Sequence, residues 1–200
     1  MNITAQHLSS FLVLAIIMSI TPGPNNFMVL FSGVRFGARR TLSHIFGAST
    51  GSALILLLVG LGFYEIFLSF PQIQKAMKYV GAAYILYLSW KTIGESGGLQ
   101  MAETTHPMSF TCAVLFQWVN PKSWVMASVA ISTCLPTEFS LGDITLYSIL
   151  FAVISFPCVG IWAWFGAIIK RYLKNVSLVR RFNLGCAGLL ILTAASMIFF

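Results

Sequence analysis

The chain has 200 residues, of which 58% are hydrophobic and 8% charged, and a formal net charge of +7. Soluble proteins carry about 25% charged residues, so this few could not cover a soluble surface without leaving large apolar patches. Soluble enzymes, nucleic-acid modules and disordered tails are excluded, and an all-α integral membrane protein is what remains. The surplus of positive charge falls in short runs between apolar stretches, which is the distribution of orientation signals and not of a nucleic-acid surface.

In chain order, Leu8–Val34 holds no charge. A bilayer core needs about 20 apolar residues at 1.5 Å each, so this stretch spans it as a first helix. It is too long for a signal-peptide core, and it lacks a basic leading region and a small-residue cleavage site, so it is predicted to stay in the mature chain. A second helix is predicted at Ile45–Tyr64, and a third at about Ile73–Ile93. Lys75, Lys78 and Lys91 lie near the ends of the third, so its span relies on snorkelling lysine stems. A fourth is predicted at Pro107–Leu135 with Lys122 as its one charge, a fifth between Asp143 and Lys170, and a sixth at Phe182–Phe200.

Six helices place alternate loops on opposite sides. Arg35, Arg39, Arg40, Lys91, Lys170, Arg171, Lys174, Arg180 and Arg181 fall on one side, against Lys75 and Lys78 on the other. The positive-inside rule then puts the first, third and fifth loops in the cytoplasm and both termini on the periplasmic side. Residues 1–200 form one transmembrane domain, whose polar linker 94–108 divides three helices (about 1–93) from three (about 109–200). Two halves of three helices insert with opposite orientation. The first and fourth helices break in matching places, about 97 residues apart, at Thr21-Pro22-Gly23-Pro24-Asn25-Asn26 and at Asn120-Pro121-Lys122. Inverted repeats with broken helices in corresponding positions point to a secondary transporter with its site at the repeat interface.

Both breaks carry chemistry. Pro22 and Pro24 remove helix hydrogen bonds, and the freed carbonyls and N–H groups must find protein, water or ligand. The start of a half-helix suits a carboxylate, through its N–H groups and positive dipole end, and Asn25 and Asn26 add amides there. The bland alternative is a kink packed by neighbouring helices. Lys122 lies almost mid-span, where a charge is by default functional. It pairs with a substrate carboxylate or gives up a proton when dehydrated, unless it merely caps carbonyls freed at Pro121 or snorkels. Gln117, Asn120 and Pro121 complete that group. Gly47 and Gly51 form a GxxxG suited to close helix packing, with homodimer formation or ligand contact as its other uses. Pro157 is a kink or a hinge of the fifth helix, and the tryptophans, Trp162 and Trp124 among them, read as belt or packing residues. Four cysteines and three histidines are scattered without metal spacing, and no phosphate loop or nucleophile–base set occurs, so no metal, cofactor or enzymatic activity is expected. No carboxylate lies deep in a span, which leaves Lys122 or groups linked to the substrate as the deep candidates for a proton.

TPGPNN in the first helix, the following Gly37, Gly47 and Gly51, the AAYILYLSWK third helix and QWVNPK in the fourth resemble the LysE/RhtB family of bacterial amino-acid exporters. The GGLQ linker and QWVNPK are most similar to its cysteine/O-acetylserine branch. The resemblance implies an inner-membrane exporter of small neutral amino acids or derivatives of the threonine, homoserine, cysteine and O-acetylserine type. It further implies a drive from the proton gradient, and the family's motif positions map onto Thr21 to Asn25, Gly47, Gly51 and Asn120 to Lys122. Together with the two breaks this reads as proton antiport by alternating access, with substrate held by Thr21 to Asn26, Gln117 and Asn120 to Lys122. A passive channel for small zwitterions is the second reading, and a membrane enzyme or complex subunit the third.

Overall fold

The computed structural model describes residues 4–63, 69, 71–94, 106–136, 138–173 and 175–199. Helices and their connections account for all of them, with no strand among the described residues. Helix α1 (Ala5–Ile20) opens on a capping box, in which Thr4 and His7 satisfy each other's backbone N–H groups. It stops at Thr21-Pro22-Gly23, and the chain bends by 57° into α2 (Pro24–Phe36). Pro24 takes the first helical position, where its missing N–H costs nothing. Gly37 ends α2 with φ 84°, a left-handed conformation that glycine adopts without strain. A short turn leads to α3 (Leu42–Leu58), which continues as a π-helical turn at Val59–Phe63.

Helix α4 covers Pro71–Gly94. The linker segment 95–105, with Glu95 and Glu103, lies outside the described residues, as do Glu65 and Lys174. Helices α5 (Phe110–Val119) and α6 (Pro121–Cys134) are the halves of the second broken helix, separated by Asn120 alone. Helix α7 (Leu141–Lys170) starts on a Ser140–Asp143 capping box and runs unbroken through Pro157, so that proline interrupts no helical run. Helix α8 (Val176–Phe199) begins six residues before the predicted Phe182. The Asn175 side chain accepts the Leu178 N–H at 2.9 Å, which starts the helix early and places Arg180 and Arg181 on its first turns.

Three helical stretches, Leu42–Phe63, Leu141–Lys170 and Val176–Ala195, are long and apolar enough to cross a bilayer, and the bent α1–α2 pair makes a fourth when taken as one span. Large apolar side chains such as Trp90, Val153, Trp164 and Leu192 point outward, the inverse of a soluble surface. Inside, α2 packs along α7, α3 along α5 and α7, α1 on α7 and α6, and α4 on α8. Glycines set the closest approaches. A Cβ on Gly33 would collide with the Ala163 carbonyl, and one on Gly166 with the Leu30 carbonyl, so α2 and α7 touch backbone to backbone. Gly47 and Gly51 lie likewise against α5, at Phe110, Ala113, Val114 and Gln117. The GxxxG is therefore filled within the chain, and a homodimer would need another face. At one end of the bundle Phe11 meets Tyr147 edge-on at 4.5 Å, in a core that joins α1, α3, α6 and α7.

Candidate functional site

Breaking a helix inside an apolar bundle strands carbonyls that a continuous helix would have used. At the α1–α2 break each of them is claimed. Thr21 returns its N–H to the Ile17 carbonyl at 3.1 Å and its hydroxyl to Met18 at 3.0 Å. The Asn26 amide donates to the carbonyls of Ser19 at 2.8 Å and Thr21 at 2.9 Å. The Trp162 indole of α7 donates to Ile20 at 3.1 Å. Lys122, arriving from the other break, donates its Nζ to the Thr21 carbonyl at 2.7 Å, the Thr21 hydroxyl at 2.9 Å and the Pro22 carbonyl at 3.3 Å. An ammonium at the carbonyl end of α1 also sits well in that helix's dipole.

Gln117 organises the second break. It is 1% exposed, and its Oε1 accepts from Ser123 at 2.9 Å, Asn120 at 3.2 Å and Ser52 of α3 at 3.3 Å. Its Nε2 donates to its own helix at Ala113 and, across the bundle, to Oδ1 of Asn25 at 3.2 Å. Trp124 donates to the Trp118 carbonyl at 2.9 Å, as Trp162 does to Ile20. The two breaks are thus tied by two bridges, Lys122 to Thr21–Pro22 and Gln117 to Asn25.

The starts of the two second half-helices differ. Asn120 caps α6 by accepting the Lys122 N–H at 3.2 Å. Gly23, which precedes α2, has no side chain to offer, and no side chain caps the Asn25 and Asn26 N–H groups. That uncapped start of α2 borders a small cavity of about 30 Å³, room for a water or two at ~10–15 Å³ each. Its walls are Ser19, Asn25 and Asn26 from the first break, Gln117, Asn120 and Lys122 from the second, Ala48 and Ser52 from α3, and Ser155 and Val159 from α7. The Ser19 hydroxyl is buried on this wall and has no hydrogen-bond partner. The site therefore combines an anion-favouring helix start, a neighbouring ammonium, amide donors and acceptors, and a free hydroxyl. No trio of metal-ligating side chains occurs among the described residues.

Thr21, Gly23, Asn25, Asn26, Gln117, Asn120 and Lys122 converge, with Pro22 and Pro121 shaping the two breaks. Gly47, Gly51 and Pro157 lie in the supporting helices, on neither break. Sequence reasoning missed Ser19, Ser123 and the capping work of Trp162, and Ser155 was visible only as a small residue beside Pro157. Ser52 was visible only as a small residue beside Gly51. Nothing near Trp162 in the sequence signals a partner 142 positions away.

Compared with known proteins, the chain matches the family model of the LysE type translocators over residues 16–200. It is 30% identical over 193 residues to a cysteine/O-acetylserine efflux protein of Escherichia coli O1:K1, covering 96% of this chain and 97% of that one. A cysteine/O-acetylserine efflux protein of Salmonella choleraesuis is also 30% identical, over 98% of this chain and 100% of its own. No solved structure matches. The match spans nearly the whole length, both breaks included: this protein is a membrane transporter, and it belongs to the LysE family of translocators.

Proposed function

We propose that this chain exports small neutral amino acids or close derivatives from the bacterial cytoplasm across the inner membrane, in exchange for protons. The observation that carries this is the buried, uncapped start of α2 beside the Lys122 ammonium on a polar cavity. A substrate carboxylate fits the Asn25 and Asn26 N–H groups there, with Lys122 as the counter-charge. The amide oxygens of Asn26 and Asn120 suit the ammonium group, Gln117 orients Asn25 and Asn120 around it, and Ser19 suits a small polar side chain. No carboxylate lines the cavity to hold a cationic side chain, which favours neutral substrates. The named activity of the Escherichia coli and Salmonella relatives, cysteine and O-acetylserine efflux, fits that class.

Alternating access follows from two inverted three-helix repeats, with α4 and the α5–α6 pair completing six spans. The neighbour pattern supports this: α3 packs on both halves of the second broken helix, α7 on both halves of the first, and the third helices α4 and α8 on each other. Rocking of the halves flexes Gly23, Pro24 and Pro121, with Pro157 bending α7. One proton moving inward for one zwitterion outward carries one net charge, worth about 2.3 kcal/mol per 100 mV.

The test is efflux from proteoliposomes preloaded with labelled cysteine, O-acetylserine, threonine, homoserine, leucine or lysine, with and without an imposed proton gradient. Neutral members should leave in a gradient-dependent way and lysine should not, and Lys122→Ala or Pro24→Ala should slow efflux at least tenfold. Efflux that ignores the gradient would indicate a passive facilitator. No efflux of any member from folded protein would overturn the substrate class.

A further inference from the structure

The geometry points to His44 as the residue that carries the coupled proton, a deepening that rests on the exporter reading above. Antiport needs a titratable group that the cavity reaches in one state and the opposite face in the other, and the other candidates are engaged or misplaced. The Lys122 ammonium already meets three oxygens. Asp143 is locked to Ser140 at the far end of α7, Glu138 and His106 are exposed, and His7 belongs to the α1 cap. His44 is 1% exposed, and neither ring nitrogen has a hydrogen-bond partner. A neutral imidazole always presents one donor and one acceptor, and leaving both buried and unmet calls for an explanation.

Its place on α3 supplies one. Ser52 and Ala48 line the cavity, and steps of four residues keep to one face of a helix, so His44 is the next position on that face, ~6 Å further along. It lies toward the turn joining α2 to α3, the cytoplasmic end in the proposed topology. The charged and titratable groups on the helices packed against α3 are few. Helix α5 brings Cys112, and α6 brings Lys122 and, at its far end, Cys134. Helix α7 brings Cys158, Tyr147 and Asp143 toward that far end, and Lys170 at the near end, where Lys170 Nζ donates to the Arg35 carbonyl of α2 at 3.2 Å. The nearby cations are thus Arg35 and Lys170, with Arg39 and Arg40 in the preceding turn. No described carboxylate stabilises a charged ring at that end, so the proton is readily shed there. In the outward-open state the neutral ring takes a proton from cavity water and becomes imidazolium. When the cytoplasmic end opens, that proton passes to water and the ring returns to neutral as substrate enters.

The test reconstitutes the full chain with labelled O-acetylserine as probe. His44→Gln should lose at least tenfold of the gradient-driven efflux while substrate-for-substrate counterflow, at equal pH on both sides, stays within about twofold of wild type. Gradient-driven efflux retained in the variant would overturn His44 alone. Counterflow without gradient dependence in the wild type would overturn the antiport reading and His44 with it. A second readout leaves His44 intact. In a His7→Gln/His106→Gln variant the one remaining imidazole is followed by nitrogen NMR over a pH series. Added O-acetylserine should move the ring's imidazolium-to-neutral transition to lower pH, and an unmoved transition would overturn the assignment even if His44→Gln fails to fold.

Discussion

Gly23 shows how tightly the site is drawn around one side chain. Its backbone is extended, with φ near −176°, so any residue could adopt that conformation. Space is tight instead: a Cβ there would lie 3.0 Å from Cδ and 3.3 Å from Nζ of Lys122, so the lysine must give by a few tenths of an ångström. Gly23→Ala should therefore shift the ammonium against the Thr21 and Pro22 oxygens and loosen those bonds. Proteoliposome efflux should fall at least tenfold while helix content by circular dichroism is unchanged. Efflux at the wild-type rate would mean that Lys122 does its work elsewhere. At this scale the sequence was informative about which residues are exceptional, because two prolines, two asparagines and a mid-span lysine violate what a membrane helix tolerates. It was silent on who partners whom. The oxygens that hold Lys122 come 100 and 101 positions earlier, so a lysine read as capping its own break caps the other one.

Helix ends followed local chemistry that is written in the sequence, whereas helix contacts did not. Proline removes a donor wherever it stands, yet mid-span it takes Pro22 with Pro24, or Asn120 with Pro121, to break a helix. Pro157 stands alone inside thirty residues of α7 and the helix continues through it. The early start of α8 escaped an apolar criterion because its first turns carry Arg180 and Arg181, and helices need not be apolar where they leave the membrane. The α2–α7 contact was illegible, since nothing marks Gly33 and Gly166 as a pair. Overpacking a tight contact typically costs about 1–3 kcal/mol. Gly33→Val should lower the thermal midpoint of the purified protein by at least that equivalent. Gly185→Val, at a position with no atom within 4 Å of the added carbon, should leave it unchanged. Equal midpoints for the two variants would show that the α2–α7 contact does not hold the bundle together.

For the whole molecule, charge distribution was the most legible feature, because it is a sum over loops and needs no partner to be known. The proposed topology predicts the result of labelling intact cells with a membrane-impermeant maleimide in a Cys112→Ala background. Gln6→Cys should react at once, and Arg39→Cys only after the membrane is opened; the reverse pattern would invert the chain. What no sum over loops could say is which break leaves an open helix start, since both look alike as motifs. The difference is a single capping position, glycine before α2 and asparagine before α6.

The three oxygens around Lys122 Nζ also bear on which ion can drive this protein. Carbonyls exposed by an unwound membrane helix are a favoured seat for sodium in transporters built on broken helices. Here the carbonyls of Thr21 and Pro22 and the Thr21 hydroxyl all lie within 3.3 Å of a tethered ammonium. While Lys122 stays, an alkali ion cannot use them: the chain brings its own cation to that seat.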